Sequence, residues 1–203
     1  MTKQIGTVTA LLGAMLLIAS PLSAERIKKE VPSPEEKAMM EKMMKAGAPG
    51  PEHKMLAKMV GNWKVEVKEW KDPNKEPQSF MAMASYKTIF GGRFLKETFK
   101  SKMGKMPFEG ELTLGYDKLA KKYKSTWIEN MSTNILEMEG TYDDAAKTFT
   151  STGSFIDPMD NQTKTLKIVG KHVDDNTSIH TFYQTKADGS SVKWMEMTYK
   201  RGK

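Results

Sequence analysis

The stretch GNWKVEVKEW, residues 61–70, decides the fold. Trp63, Val65 and Val67 alternate with Lys64, Glu66 and Lys68, the period of two that a strand shows when one face is buried. The preceding residues, EHKMLAKMV (52–60), carry Met55, Leu56, Met59 and Val60 at helical spacing instead. A short helical turn therefore runs straight into a strand at Gly61-Asn62-Trp63.

Beyond Trp63 the period of two persists to the end of the chain. Ten candidate strands fall near residues 63–70, 79–90, 93–102, 108–116, 122–129, 133–142, 147–155, 163–172, 177–186 and 191–200. Phe108, Leu112, Leu114 and Tyr116 share one phase, as do Tyr123 and Trp127. Turn chemistry separates the runs: Gly91-Gly92, Asp117-Lys118, Asp143-Asp144, Asp157-Pro158, Asp174-Asp175-Asn176 and Asp188-Gly189. No helical stretch interrupts the series, so parallel crossovers have no place to sit. Ten consecutive antiparallel strands must hide two edges, and closing into an up-and-down barrel does so most simply. The expected fold is mainly β, a single antiparallel up-and-down barrel of about ten strands with a short N-terminal helical segment. A two-sheet sandwich is the alternative.

Towards the N-terminus, SPEEKAMMEKMMKA (33–46) reads as a helix with its start signals: Ser33 to cap, Pro34 in the first turn and Glu36 to complete a capping box. Met39, Met40, Met43 and Met44 form one apolar stripe. The cluster Gly47-Ala48-Pro49-Gly50-Pro51 ends it. At the very start, Lys3 precedes an apolar or small run from Ile5 to Ala19, followed by Ser20-Pro21-Leu22-Ser23-Ala24. That pattern reads as a secretory signal peptide, too short to span a bilayer, with Glu25 as the mature N-terminus; an uncleaved anchor is the competing reading. The expected organisation is a signal peptide at 1–24, a helical lead and linker at 25–48, dispensable for the body, and a barrel domain at 49–203. The protein is expected to be periplasmic or secreted, without stable membrane insertion after cleavage.

Composition narrows the chemistry. The 203 residues include no cysteine, which excludes thiol nucleophiles, disulfides and cysteine-ligated zinc. Nucleotide-binding glycine loops, a G-x-S-x-G elbow and an H-E-x-x-H helix are all missing from the sequence. The net charge of +7 is spread along the chain without a basic–aromatic motif, which argues against a nucleic-acid partner.

The three histidines are His53, His172 and His180. His53 in the lead-in turn reads as solvated. His172 and His180 flank the Asp174–Asn176 turn, where a one-residue register change decides whether they share a face. Tyr123, Ser125, Trp127 and Glu129 share one phase of a strand. Turned inward, they would set a phenol and a carboxylate beside an indole; the competing reading leaves Glu129 on the rim near Asn130. Among 17 methionines, the stripe Met39/Met40/Met43/Met44 and the pairs Met81-x-Met83 and Met195-x-Met197 offer soft ligands for copper(I), although methionine also serves as a filler of irregular apolar space.

Gly61-Asn62-Trp63 at the mouth of the first strand resembles the G-x-W signature of lipocalins and their calycin relatives. The resemblance implies an arginine from the last strand lying over the tryptophan, and Arg201 in Tyr199-Lys200-Arg201 stands in that place. More narrowly, PGPEHKMLAKMVGNW (49–63), FGGRFL (90–95), GYDKLAKKYKSTWIENM (115–131), EGTYD (139–143) and MEMTYKR (195–201) resemble the bacterial domain-of-unknown-function family 1579. The resemblance implies a calycin-like barrel and no assigned activity. The expected function is binding of a small, partly apolar or amphiphilic ligand in the barrel, with Tyr123, Trp127, Glu129 and His180 as candidate ligand-binding residues and Trp63 and Arg201 as the barrel closure. No catalytic or metal residue and no cofactor is assigned. The alternatives are a haem or copper carrier, with a histidine as axial ligand in the haem case, or an enzyme using Glu129 or His180 as a base.

Overall fold

A computed structural model describes residues 32–185 and 189–202. The leader at 1–24 and the expected terminus Glu25 lie outside the described residues, as does Asp188 of the last turn. The described residues divide into two units at the boundary between Met39 and Met40.

Helix α1 (Pro34–Gly47) begins with a reciprocal cap. The Glu36 N–H donates to Ser33 Oγ at 3.2 Å, and the Ser33 N–H donates to Glu36 Oε2 at 2.7 Å. Its four stripe methionines are all exposed. Helix α2 (Pro51–Ala57) is shorter and differently placed: it packs on two strands of the sheet, and Leu56 belongs to the core. His53, expected in solvent, is buried. Its Nδ1 accepts from the Gly50 N–H at 3.0 Å, and its ring meets the edge of Tyr116 with centroids 6.1 Å apart. The imidazole caps the helix start three residues behind it, which draws it under the chain.

Ten strands follow: β1 (Gly61–Glu69), β2 (Gln78–Ile89), β3 (Phe94–Met103), β4 (Met106–Asp117), β5 (Lys122–Glu129), β6 (Leu136–Asp143), β7 (Thr148–Ile156), β8 (Thr163–Asp174), β9 (Thr177–Thr185) and β10 (Ser191–Arg201). Each pairs antiparallel with its predecessor, and β10 returns to β1, so the sheet closes into a barrel. The closing register sets Trp63 opposite Arg201 and Val67 opposite Met197. Gly91 and Gly92, with φ of 65° and 82°, make the turn between β2 and β3 that L side chains rarely follow.

Alternation separates two surfaces. The outer one carries lysines and glutamates in cross-strand ion pairs, such as Lys96–Glu111 at 2.8 Å and Lys122–Glu139 at 2.7 Å. The inner one is apolar, the reverse of a barrel that faces lipid. Trp63, Val65 and Val67 have no exposed surface at all. Interior packing is tight enough that a Cβ on Gly110 would lie 2.2 Å from the Trp127 ring; the missing side chain is the slot in which the indole sits.

Where β1 begins, the barrel is filled. The Trp63 Nε1–H donates to Met59 O at 2.8 Å, and the Arg201 guanidinium lies over the indole, 4.2 Å from the ring centroid. Arg201 also donates from Nη1 to Val60 O at 2.7 Å, from Nη2 to Lys58 O at 2.6 Å and from Nε to Asp175 O at 3.1 Å. One side chain thus ties the last strand to the carbonyls of the α2–β1 connection. Gly61, at φ 131°, leaves room for it: a Cβ there would stand 2.9 Å from Arg201 Nη1.

Candidate functional site

The rest of the interior encloses a cavity of about 1280 Å³. At one end it is lined by Met55, Leu56 and Met59 from the α2 region. At the other it reaches the hairpins, at Lys71, Gly104, Ser132 and Asn134. The walls between are aromatic and aliphatic, with Phe80, Phe99, Phe108, Trp127, Phe182 and Met197 among them. This volume exceeds the few hundred to about 1,000 Å³ typical of small-molecule sites.

One polar cluster interrupts the apolar wall. Glu97 points inward from β3 between Leu95 and Phe99, with only 4% of its surface exposed. It stands opposite Tyr86 of β2, and the Tyr199 hydroxyl donates to Glu97 Oε1 at 3.4 Å. Burial pushes the Glu97 carboxyl from its ordinary value near 4.5 up to about 7, against the downward pull of hydrogen bonds from Tyr86 and Tyr199. Burial first, and the Glu97 charge second, also drive both phenols well above their ordinary value. His180 of β9 lies beside Tyr199, ring centroids 4.7 Å apart, and its Nε2 shares a hydrogen bond with Ser178 Oγ at 3.1 Å. Burial pushes this imidazole down to about 4, so it is neutral at physiological pH.

The four candidate ligand-binding residues fall in different places. His180 and Trp127 line the cavity wall. Trp127 rests in the Gly110 slot and meets Phe99 edge-on at 6.3 Å. Glu129 is at the mouth, where its carboxylate caps the β5–β6 turn by accepting from the Met131 N–H and, at 2.5 Å, from the Ser132 hydroxyl. Tyr123 does not line the cavity. It is buried in the filled end between Tyr116, at 4.9 Å, and Phe149, at 5.3 Å. Inward direction alone does not make a lining residue; level along the barrel axis decides, and the strand stagger sets that level.

The remaining open readings also resolve. Gly170 pairs with His180 and His172 with Ser178, so both histidines face inward. Met195 and Met197 line the cavity, whereas Met81 and Met83 are exposed on the outside, so the two pairs cannot share one ion. Among the described residues no three His, Cys, Asp or Glu side chains gather as a metal site.

Glu97, Tyr86 and Tyr199 escaped the sequence reading. Their signal was present: in Leu95-Lys96-Glu97-Thr98-Phe99 the glutamate occupies the apolar phase of the strand. A charged residue in that phase is either a register error or a functional group.

Comparison with known proteins concerns the fold. Rv2717c from M. tuberculosis is similar in structure, with a TM-score of 0.53 at 12% sequence identity, covering 77% of this chain and 100% of that one. The S-type phycobiliprotein lyase CPES from Guillardia theta aligns at 11% identity with a TM-score of 0.48, over 78% of this chain and 96% of its own. No curated protein matches the sequence. The profile of a family described as proteins of unknown function (DUF1579) matches residues 48–201, from the lead-in to α2 through the whole barrel. The chain therefore belongs to the DUF1579 family, as a closed ten-stranded member of it.

Proposed function

We propose that this protein is an exported binder of a small, partly apolar ligand, held inside the barrel. The observation that carries the reading is the cavity: about 1280 Å³, walled by aromatic and aliphatic side chains, with one buried polar cluster to orient what enters. Sites that bind small molecules combine a largely apolar wall with a few convergent polar groups in this way. Export is the other part of the reading. It rests on the apolar leader between Lys3 and Ala24.

Native mass spectrometry of protein purified from its own host, with a titration by the apolar fluorophore N-phenyl-1-naphthylamine, tests the binding. The expected result is a retained organic mass, or saturable uptake of one fluorophore per barrel. A bare polypeptide mass together with no saturable fluorescence would contradict the proposal. N-terminal sequencing of the exported protein tests the address, with Glu25 the expected first residue.

A further inference from the structure

The polarity of the cavity is lopsided. Among the described residues its buried centre holds a carboxyl, Glu97, and no cationic side chain. The lysines that line the cavity, Lys58, Lys71 and Lys102, belong to its two ends. His180 contributes a neutral ring. An ionised Glu97 accepts hydrogen bonds at about four lone-pair positions. Tyr86 and Tyr199 supply two donors, which leaves acceptor capacity on a group that borders the cavity.

A carboxylate in such surroundings is costly unless a cation joins it. An anionic head group would find the opposite environment: a like charge, and no guanidinium or ammonium to hold it. A neutral head group would leave the carboxyl protonated and the cluster unchanged. Tyr86, Tyr199 and Phe99 line the cavity together with Glu97, and aromatic rings attract a positive charge.

We propose that the ligand of this cavity is an apolar molecule with a single ammonium head, and that the head docks on Glu97 between Tyr86 and Tyr199. The inference rests on the reading that the cavity binds a ligand and adds the class of ligand to it. Binding follows the ionisation of Glu97. The groups that face the carboxyl are Tyr86 from β2, Tyr199 from β10, His180 beyond Tyr199 from β9, and the apolar Leu112 from β4. The phenols stay protonated and the imidazole stays neutral across pH 6–8, so Glu97 is the group of this cluster that titrates there.

Three probes with one twelve-carbon tail decide the matter by displacing N-phenyl-1-naphthylamine: dodecylamine, dodecanol and laurate. At pH 8 the amine is expected to compete at least about tenfold better than the alcohol, with laurate weakest; a tenfold ratio corresponds to about 1.4 kcal/mol. Lowering the pH from 8 to 6 should weaken the amine about tenfold, because Glu97 takes up its proton near 7. Glu97→Gln should reduce the amine's advantage over the alcohol to within about threefold and abolish the pH effect, while the alcohol still binds. The ranking in the unaltered protein needs no variant. Laurate competing as well as dodecylamine, or an amine preference that survives Glu97→Gln, would overturn the head-group assignment while leaving a binding barrel. Failure of the fluorophore and all three probes to bind would overturn the binding reading itself.

Discussion

Two regions of the barrel interior are built on opposite principles. Around Trp63 the space is full and the polar groups are paired: the indole N–H has a carbonyl and three donors of Arg201 have carbonyls. Around Glu97 the space is open, and a carboxyl lies buried with two phenols and no cation. The first lowers the free energy of the folded chain. The other keeps an arrangement that raises it, which folded proteins retain where a ligand needs it.

The largest effect is expected at the filled end. Trp63→Ala should cost about 3–5 kcal/mol, from lost contacts and the hole left behind. Arg201→Ala should cost about 1–2 kcal/mol, through the cation–π contact and the packing of its stem. Denaturant unfolding of the double variant should show coupling above about 0.5 kcal/mol. Strict additivity would break the comparison, since the two residues would then not act as one closure.

Next comes a variant that should gain stability. A carboxyl that holds its proton up to about 7 when folded, and loses it near 4.5 when unfolded, makes the folded state less stable as pH rises through that window. At pH 8 the penalty is fully present, and Glu97→Gln should raise the unfolding free energy by about 2–3 kcal/mol. His180 works with the opposite sign: neutral when folded down to about 4, protonated near 6.5 when unfolded, it makes stability rise with pH between those values. Each slope is about 1.4 kcal/mol per pH unit, so the two cancel between about pH 4.5 and 6.5. The unaltered protein should show a flat profile there. Glu97→Gln should uncover the rising slope of His180, and a flat profile in that variant would contradict the assignment.

A smaller loss sharpens the boundary between the two regions. Gly110→Ala puts a methyl into the Trp127 ring and should cost about 1–3 kcal/mol, with a shift in tryptophan fluorescence as the indole moves. Lys122→Met, which breaks the exposed pair with Glu139, should stay within about 0.5 kcal/mol in thermal unfolding. A large effect there would mean that the outer surface, rather than the filled end, holds the barrel.

How much of this was legible follows from what each feature depends on. Ten strands and their turns were legible because alternation and turn residues are local, and strand ends moved by at most three residues. Closure followed from the edges that an unclosed sheet would expose. The site was harder. Tyr123 and Trp127 share a phase and differ only in level, and level depends on the stagger of all ten strands. Glu97 was overlooked because a charge between Lys96 and Thr98 reads as surface until its phase is counted. His53 was misplaced because a helix-capping imidazole leaves no periodic trace.

The contrast between the two regions is tested most directly by two variants measured side by side for unfolding and for N-phenyl-1-naphthylamine binding. Ile168→Trp fills part of the cavity from β8, and Arg201→Lys removes the three-carbonyl tie of the barrel closure. The account predicts that Ile168→Trp weakens binding at least about tenfold with little loss of stability, and that Arg201→Lys lowers stability by about 1–2 kcal/mol while leaving the affinity within about twofold. Unchanged binding in Ile168→Trp, or equal loss of affinity in both, would contradict it.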